Sequence, residues 1–93
     1  MVTSTPPIIM EHWVLGTSPA TCFGCRYLSG VGPFLYRTCP RPPLHEHCDC
    51  AVRVIPTGGL GRGARAAMEA AARRNTARAG SILARAQHLR DRG

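Results

Sequence analysis

Two short clusters of cysteine and histidine hold the residues of this sequence that could do chemistry. The first is Cys22-Phe-Gly-Cys25, in which two residues separate two thiols and Gly24 is expected to permit a tight turn. In the second, the spacing from His45 to Cys48 repeats that of the first, with a histidine in place of one thiol. Two such pairs joined by a loop are typical of tetrahedral Cys3His zinc sites, because zinc prefers thiolate and imidazole ligands.

Only two of the four ligands of the predicted zinc site can be assigned to single residues. Cys22 and Cys25 are the first two ligands, and the other two come from His45, Cys48 and Cys50. His45 and Cys48 are preferred because of their spacing. Cys50 competes with Cys48, because alternate residues of an extended segment point the same way.

Two further residues near the clusters are left out of the ligand set. Cys39 is the predicted spare thiol, and His47 is expected to support a ligand by hydrogen bonding. The five cysteines are an odd number, and the N-terminus is not typical of a secretion signal, so a metal site is favoured over a disulfide framework. Disulfides within the site, or a set of reduced structural cysteines, are the alternatives.

The predicted zinc is structural, with one ion per chain. A catalytic zinc keeps an open coordination position beside a general base. Glu46 and Asp49 are the only acids close to the clusters. The His-x-Glu and Pro-Cys-x2-Cys order of zinc-dependent nucleobase deaminases is absent. We therefore predict that the chain is not an enzyme.

The composition allows one small domain with a limited core. The chain has 93 residues, and its five Phe, Trp and Tyr residues all precede residue 37. Scaffolds of this size usually need a metal, disulfides or a partner. The net charge is +7, and every basic residue is arginine, which suits contact with phosphate or with acidic protein surfaces. No apolar run approaches the roughly 18 residues of a membrane span.

Four segments must position the clusters. Residues 1–21 are predicted to form an extended N-terminal arm or an edge strand that docks on something outside the chain. Residues 22–56 hold five prolines, which are expected to exclude a helix and to leave a metal-stabilised, loop-rich module with short β-strands, one of them at 51–55. Residues 57–63 contain four glycines and are predicted to form a hinge.

Residues 64–92 are predicted to form one long C-terminal α-helix, because alanine dominates and no proline interrupts it. Small and apolar residues recur in steps of four and three, which is the seam of a helix that packs on another helix. The seam consists of Met68, Ala72, Asn75, Ala79, Ile82, Ala86 and Leu89. No second helix is expected in the chain, so the seam indicates a partner subunit or a second copy. A solvated helix that depends only on alanine propensity is the alternative.

The order of these features resembles the cysteine-rich module of minor head proteins of tailed bacteriophages. The motifs that carry the resemblance are Trp13-Val-Leu-Gly, Cys22-Phe-Gly-Cys25-Arg-Tyr-Leu-Ser-Gly, a proline-rich stretch and His45-Glu-His-Cys48-Asp-Cys50. The resemblance covers residues 12–56. By motif position, Cys22, Cys25, Cys48 and Cys50 match cysteines of the family, and His45 corresponds less clearly. In those relatives the module ends a much larger protein, whereas here an Arg/Ala-rich helix follows it.

The resemblance implies a non-enzymatic structural protein of a phage particle, as a minor head, cement or connector component. Its expected location is the virion, and the host cytoplasm before assembly. The implied partners are capsid, portal or tail subunits, held through the arm and the helix.

Two other functions remain open. The charge favours a nucleic-acid-binding zinc-knuckle protein. Against it, the arginines are expected to surround the helix, and the knuckle lacks paired basic and aromatic residues for base stacking. A zinc-containing regulator similar to an anti-sigma factor is the third reading.

Overall fold

The fold combines a small sheet with three helices. The computed structural model describes residues 8–17, 22–45 and 48–92. The elements are β1 (Met10–Val14), α1 (Phe23–Val31), β2 (Phe34–Leu35), β3 (Ala51–Val54), α2 (Arg62–Ala77) and α3 (Ala79–Arg92). The strands form an antiparallel sheet in the order β2-β1-β3. Short strands and a long helical C-terminal region are thus confirmed. Within the described ranges, no helix combines the length and apolar character needed to cross a membrane.

Strand β1 lies at the centre of the sheet, which corrects the expectation of an arm or an edge strand. It pairs with β2 on one side and with β3 on the other. Met10 and Trp13 are 0% and 2% exposed. These apolar side chains therefore belong to the chain's own core, because strands from later in the sequence flank them. The remainder of the predicted arm, at 1–7 and 18–21, lies outside the described residues.

Helix α1 corrects the expectation that proline excludes a helix from this region. The prolines of the region begin only at Pro33, so the stretch before it is free to be helical. Cys22 caps the helix, since its Sγ accepts a hydrogen bond from the Cys25 N–H at 3.4 Å. The helix ends at Gly32, whose φ of 104° glycine adopts at little cost. The first cysteine pair thus sits on a helix and not in an isolated turn.

The predicted single C-terminal helix is two helices with a break of one residue. Arg78 interrupts the helix with φ −109° and ψ 14°. Helical hydrogen bonding resumes at once, because the Ile82 N–H donates to the Arg78 carbonyl at 2.9 Å. Helix α2 begins at Arg62, so the last two residues of the predicted hinge at 57–63 are helical.

Polar side chains at the end of α2 fasten it to α1 and β2. Asn75 Nδ2 donates to the carbonyls of Val31 at 3.3 Å and Pro33 at 2.8 Å, and so satisfies backbone groups at the end of α1. Thr76 Oγ1 accepts from the Leu35 N–H at 3.0 Å. These contacts lie just before the break. The helices on the two sides of the break pack on different elements, since α2 packs against β2 and α3 packs against α1.

The helical seam is buried inside the chain. Ala72, Ile82 and Ala86 are at most 4% exposed, and the other seam residues are half-buried. Ile82 and Ala86 share one core with Trp13 and Leu28. The expectation of a seam without an internal partner was wrong, because α1, which the proline argument excluded, packs on α3.

Candidate metal centre

The five predicted ligands converge where α1 meets the loop that leads into β3. Cys22 and Cys25 lie at the start of α1, and His45, Cys48 and Cys50 lie in the loop. Cys25 is fully buried, and the other three cysteines are half-buried. His47, the predicted supporting residue, lies outside the described residues.

The sulfur–sulfur distances match those of a tetrahedral thiolate site. Cys25 Sγ lies 3.6 Å from Cys22 Sγ and 3.9 Å from Cys48 Sγ. Two thiolates that share a zinc ion at about 2.3 Å with tetrahedral angles are about 3.8 Å apart. A disulfide requires about 2.05 Å. All five cysteines are free thiols, so the geometry fits a shared ion and not a bridge.

Cys25 is common to two sets of donor atoms. With Cys22 and His45 it forms one set whose atoms all lie within 4.8 Å of one another. With Cys48 and Cys50 it forms a second set within the same distance. Together the sets offer five donors to a four-coordinate ion. The choice among His45, Cys48 and Cys50 therefore stays open, while Cys25 contributes to both sets.

The second cluster is held in place by a backbone hydrogen bond and by α3. The Cys48 N–H donates to the His45 carbonyl at 3.2 Å, which joins these two residues directly. Arg90 Nη1 donates to the Leu44 carbonyl at 2.9 Å, so α3 fixes the residue just before the cluster. The positions of His45 and Cys48 thus depend on a helix that begins more than thirty residues later in the sequence.

Gly24, between the first two cysteines, serves helix packing. A side chain at this position would collide with the backbone carbonyl of Ala86 and with the Leu44 side chain. Glycine is therefore needed here because α1 and α3 approach closely, and not because of the expected tight turn. The same contact brings Leu44, next to the second cluster, against the first cluster.

Hydrogen bonding acts in opposite directions on two of the thiols. Burial raises the pKa of Cys25 well above its ordinary value, and hydrogen bonds with Cys22 and Cys50 raise it further. Burial also raises the pKa of Cys48, but hydrogen bonds with the backbone at Leu44 and Cys50 and with the Cys50 and Cys25 side chains together lower it. A bound cation would favour the thiolate form of every ligand, since coordination displaces the thiol proton.

Cys39 lies outside both donor sets. It is 3% exposed, and burial together with the nearby Glu11 carboxylate raises its pKa to about 12. Its absence from both sets is in keeping with the prediction of a spare thiol.

Glu11 is the residue near the site that sequence reasoning missed. It is 1% exposed on the central strand. Both of its carboxylate oxygens accept hydrogen bonds from Arg41 Nη2 at 3.0 Å, and Oε1 also accepts from the Cys39 N–H at 3.0 Å. The carboxylate thus ties the proline-rich loop, which leads to His45, onto the sheet. Its sequence signal is an acid that, with the neighbouring His12, interrupts a short apolar strand.

Comparison with known proteins adds no relative. No protein-family model, curated protein or solved structure matches the chain. The resemblance to the phage cysteine-rich module therefore stays a prediction from motifs. What the site can do follows from its donors: four thiols and one imidazole suit a soft or borderline cation, and not magnesium or calcium, which prefer oxygen.

Proposed function

We propose that this chain is a non-enzymatic structural protein whose fold is locked by one zinc ion. The ligands are Cys22, Cys25 and two of His45, Cys48 and Cys50. The observation that carries the proposal is the pair of sulfur–sulfur distances, 3.6 and 3.9 Å, around the buried Cys25. Zinc is favoured among soft cations because mixed thiolate and imidazole sets with tetrahedral spacing are typical of it.

The surplus of donors favours a closed site. A catalytic zinc has three protein ligands and an open position for water. Here two sets of three donors, which share Cys25, offer five donors to an ion that needs four. A water ligand would therefore have to compete with a protein donor that is already close. This supports a structural ion over a catalytic one.

The ion would connect two parts of the chain that lie far apart in the sequence. It joins the start of α1 to the loop before β3, and that loop has little regular structure among its described residues. In a chain of 93 residues, the binding energy of such an ion contributes directly to folding. The ion would therefore stabilise a loop that is held by few backbone hydrogen bonds of regular structure.

On the basis of the phage resemblance, we propose that the protein fills this structural role as a minor head, cement or connector component of a virion. The motif order supports it. An elongated form of 54 × 25 × 19 Å also supports it, since such a shape offers long surfaces to neighbouring subunits. Recovery of the chain only with assembled particles, in a ratio that matches their symmetry, is the expected result. Recovery only as a free cytoplasmic protein would contradict it.

The zinc site is tested by metal analysis of the purified protein and of two matched variants. Cys25→Ala removes the thiol common to both donor sets, and Cys39→Ala removes a buried thiol outside them. We expect one zinc per chain in the wild type and in Cys39→Ala. We expect Cys25→Ala to bind zinc at least tenfold more weakly, because even loss of a residue that only supports a ligand weakens such sites by about 10- to 100-fold. A wild type without zinc after growth with zinc, or equal retention in both variants, would contradict the site.

A further inference from the structure

Arginines of α2 and α3 form a line along the outside of the helix pair. Steps of four and three residues return to the same side of an α-helix. The residues that follow such steps here are Arg74, Arg78, Ser81, Arg85, His88 and Arg92, and all six are exposed. We call its four arginines the arginine stripe. The expectation that the arginines only surround the helix is therefore incomplete, since these four share one side. The exposed positions keep the same steps of four and three residues on both sides of the break at Arg78.

The acids of these two helices pair with arginines outside the stripe. Glu69 contacts Arg65 at 3.5 Å, and Asp91 contacts Arg90 at 2.9 Å. Within the part of the chain that the structure describes, no ion pair involves a stripe arginine. The stripe thus presents four positive charges to solvent, none of which is paired with a carboxylate among the described residues.

We propose that the arginine stripe binds the phosphate backbone of duplex DNA without sequence preference. Guanidinium groups bind phosphates through paired hydrogen bonds. From Arg74 to Arg92 the stripe extends about 27 Å at 1.5 Å per residue, which is the length of about eight base pairs. Each stripe residue up to His88 directly precedes a seam residue, so the stripe lies about 100° around the helix from the side that packs into the core, and the arginines project from a fixed support. This inference does not depend on the proposed zinc or on the phage setting.

The residue types on the stripe favour a duplex over the other partners of a basic surface. Sites for single strands stack bases on aromatic side chains, and every Phe, Trp and Tyr of the sequence precedes residue 37. Protein interfaces depend on aromatic and large apolar anchors at their centre. The positions between the stripe arginines carry only Ser81 and His88. A repeating line of charge without anchors is suited to a repeating line of phosphates.

The test measures binding of the intact, metal-loaded chain to a mixed-sequence DNA duplex by fluorescence anisotropy. Four phosphate contacts predict a slope of about −3.6 for the logarithm of the binding constant against that of the salt concentration. Between about 50 and 200 mM salt, this slope corresponds to an affinity loss of about 150-fold. Arg85→Gln should reduce the slope by about one unit. Replacing all four stripe arginines by glutamine should remove most of the salt-dependence slope.

A matched control removes the same charge from other surfaces. It replaces four exposed arginines by glutamine: Arg26, Arg53, Arg62 and Arg73. The last two lie on a different side of α2, because consecutive residues are about 100° apart around a helix. We expect this control to keep the wild-type slope, and helix content and metal content identify variants that fold.

Four outcomes would overturn the proposal. The first two are absence of duplex binding at low salt and an equal loss of the salt-dependence slope in the two fourfold variants. The other two are tighter binding to single-stranded DNA than to the duplex, and binding to polyglutamate as tight as binding to the duplex. The last would assign the stripe to an acidic protein surface. Because metal content is measured separately, none of these results bears on the zinc site.

Discussion

At the scale of single residues, Glu11 places a carboxylate inside the core and uses it to hold a loop. The side chain is 2% exposed, whereas that of its partner Arg41 is 50% exposed. Only one end of the ion pair is shielded from water, so the pair contributes less than a fully buried one. The carboxylate, however, would remain buried if Arg41 were lost. Removing the arginine should therefore cost more than the pair itself contributes.

We predict that Arg41→Gln lowers the free energy of unfolding by about 2 kcal/mol, because it leaves the Glu11 charge with fewer partners. Glu11→Gln with Arg41→Gln should cost less than the sum of the two single changes. Urea unfolding of all four proteins in this double-mutant cycle measures the coupling. Additive single effects would show that Arg41 and Glu11 do not act together.

The closeness of the five predicted donors could be read from sequence, because spacing within each cluster places its donors near one another. The Cys22–Cys25 spacing places two thiols together in a turn or in the first turn of a helix, so an error in the element did not move the site. Glu11 could not be found in this way. Its burial depends on β1 being the central strand, which in turn depends on pairing with a strand forty residues later. Spacing does not decide which two of His45, Cys48 and Cys50 are ligands of the ion.

At the scale of elements, the contact between α1 and α3 places the two cysteine clusters together. The contact is close because Gly24 has no side chain. Proline density averaged over a long window hid α1, since a helix of nine residues needs only a proline-free stretch with suitable ends. The seam on the C-terminal helices was visible in sequence because its period is regular. The break at Arg78 was not, because no proline marks it, and tertiary contacts of Asn75 and Thr76 lie beside it.

Two glycines of α1 give opposite predictions for the same substitution. Gly24→Ala should destabilise the protein by about 2 kcal/mol, because the added methyl group collides with the Ala86 carbonyl. Gly30→Ala meets no atom within 4 Å and should be neutral or stabilise by about 0.5 kcal/mol through helix propensity. Thermal unfolding of both variants provides the comparison. A Gly24→Ala protein as stable as Gly30→Ala would show that α1 and α3 are further apart.

At the scale of the whole molecule, the protein is longer than a compact chain of its length. Its radius of gyration is 14.7 Å, against about 12 Å expected for a spherical domain of this size. The two C-terminal helices account for the difference, because they follow one another with only a break of one residue. The core formed by Trp13, Leu28 and Ile82 is thus small relative to the surface.

With so small a core, removal of the metal should unfold the molecule and not merely loosen its site. Small-angle X-ray scattering of the zinc-loaded protein should give a radius of gyration near that of the folded chain. Addition of a chelator should raise it toward about 30 Å, the value for an unfolded chain of this length. A folded protein of unchanged radius, shown by metal analysis to be free of zinc, would contradict the structural role of the ion.

The hydrogen bond from Arg90 to Leu44 also has a consequence for the order in which the protein assembles. All five donors have been synthesised once Cys50 leaves the ribosome, but Arg90 follows forty residues later. During that interval a nascent chain holds a complete set of ligands without the helix that later packs beside them. If the chain takes up zinc at this stage, it does so before α3 is in place, and we expect exchange from the finished protein to require that α3 moves away. We expect zinc release and the hydrogen exchange of α3 amides to proceed at the same rate.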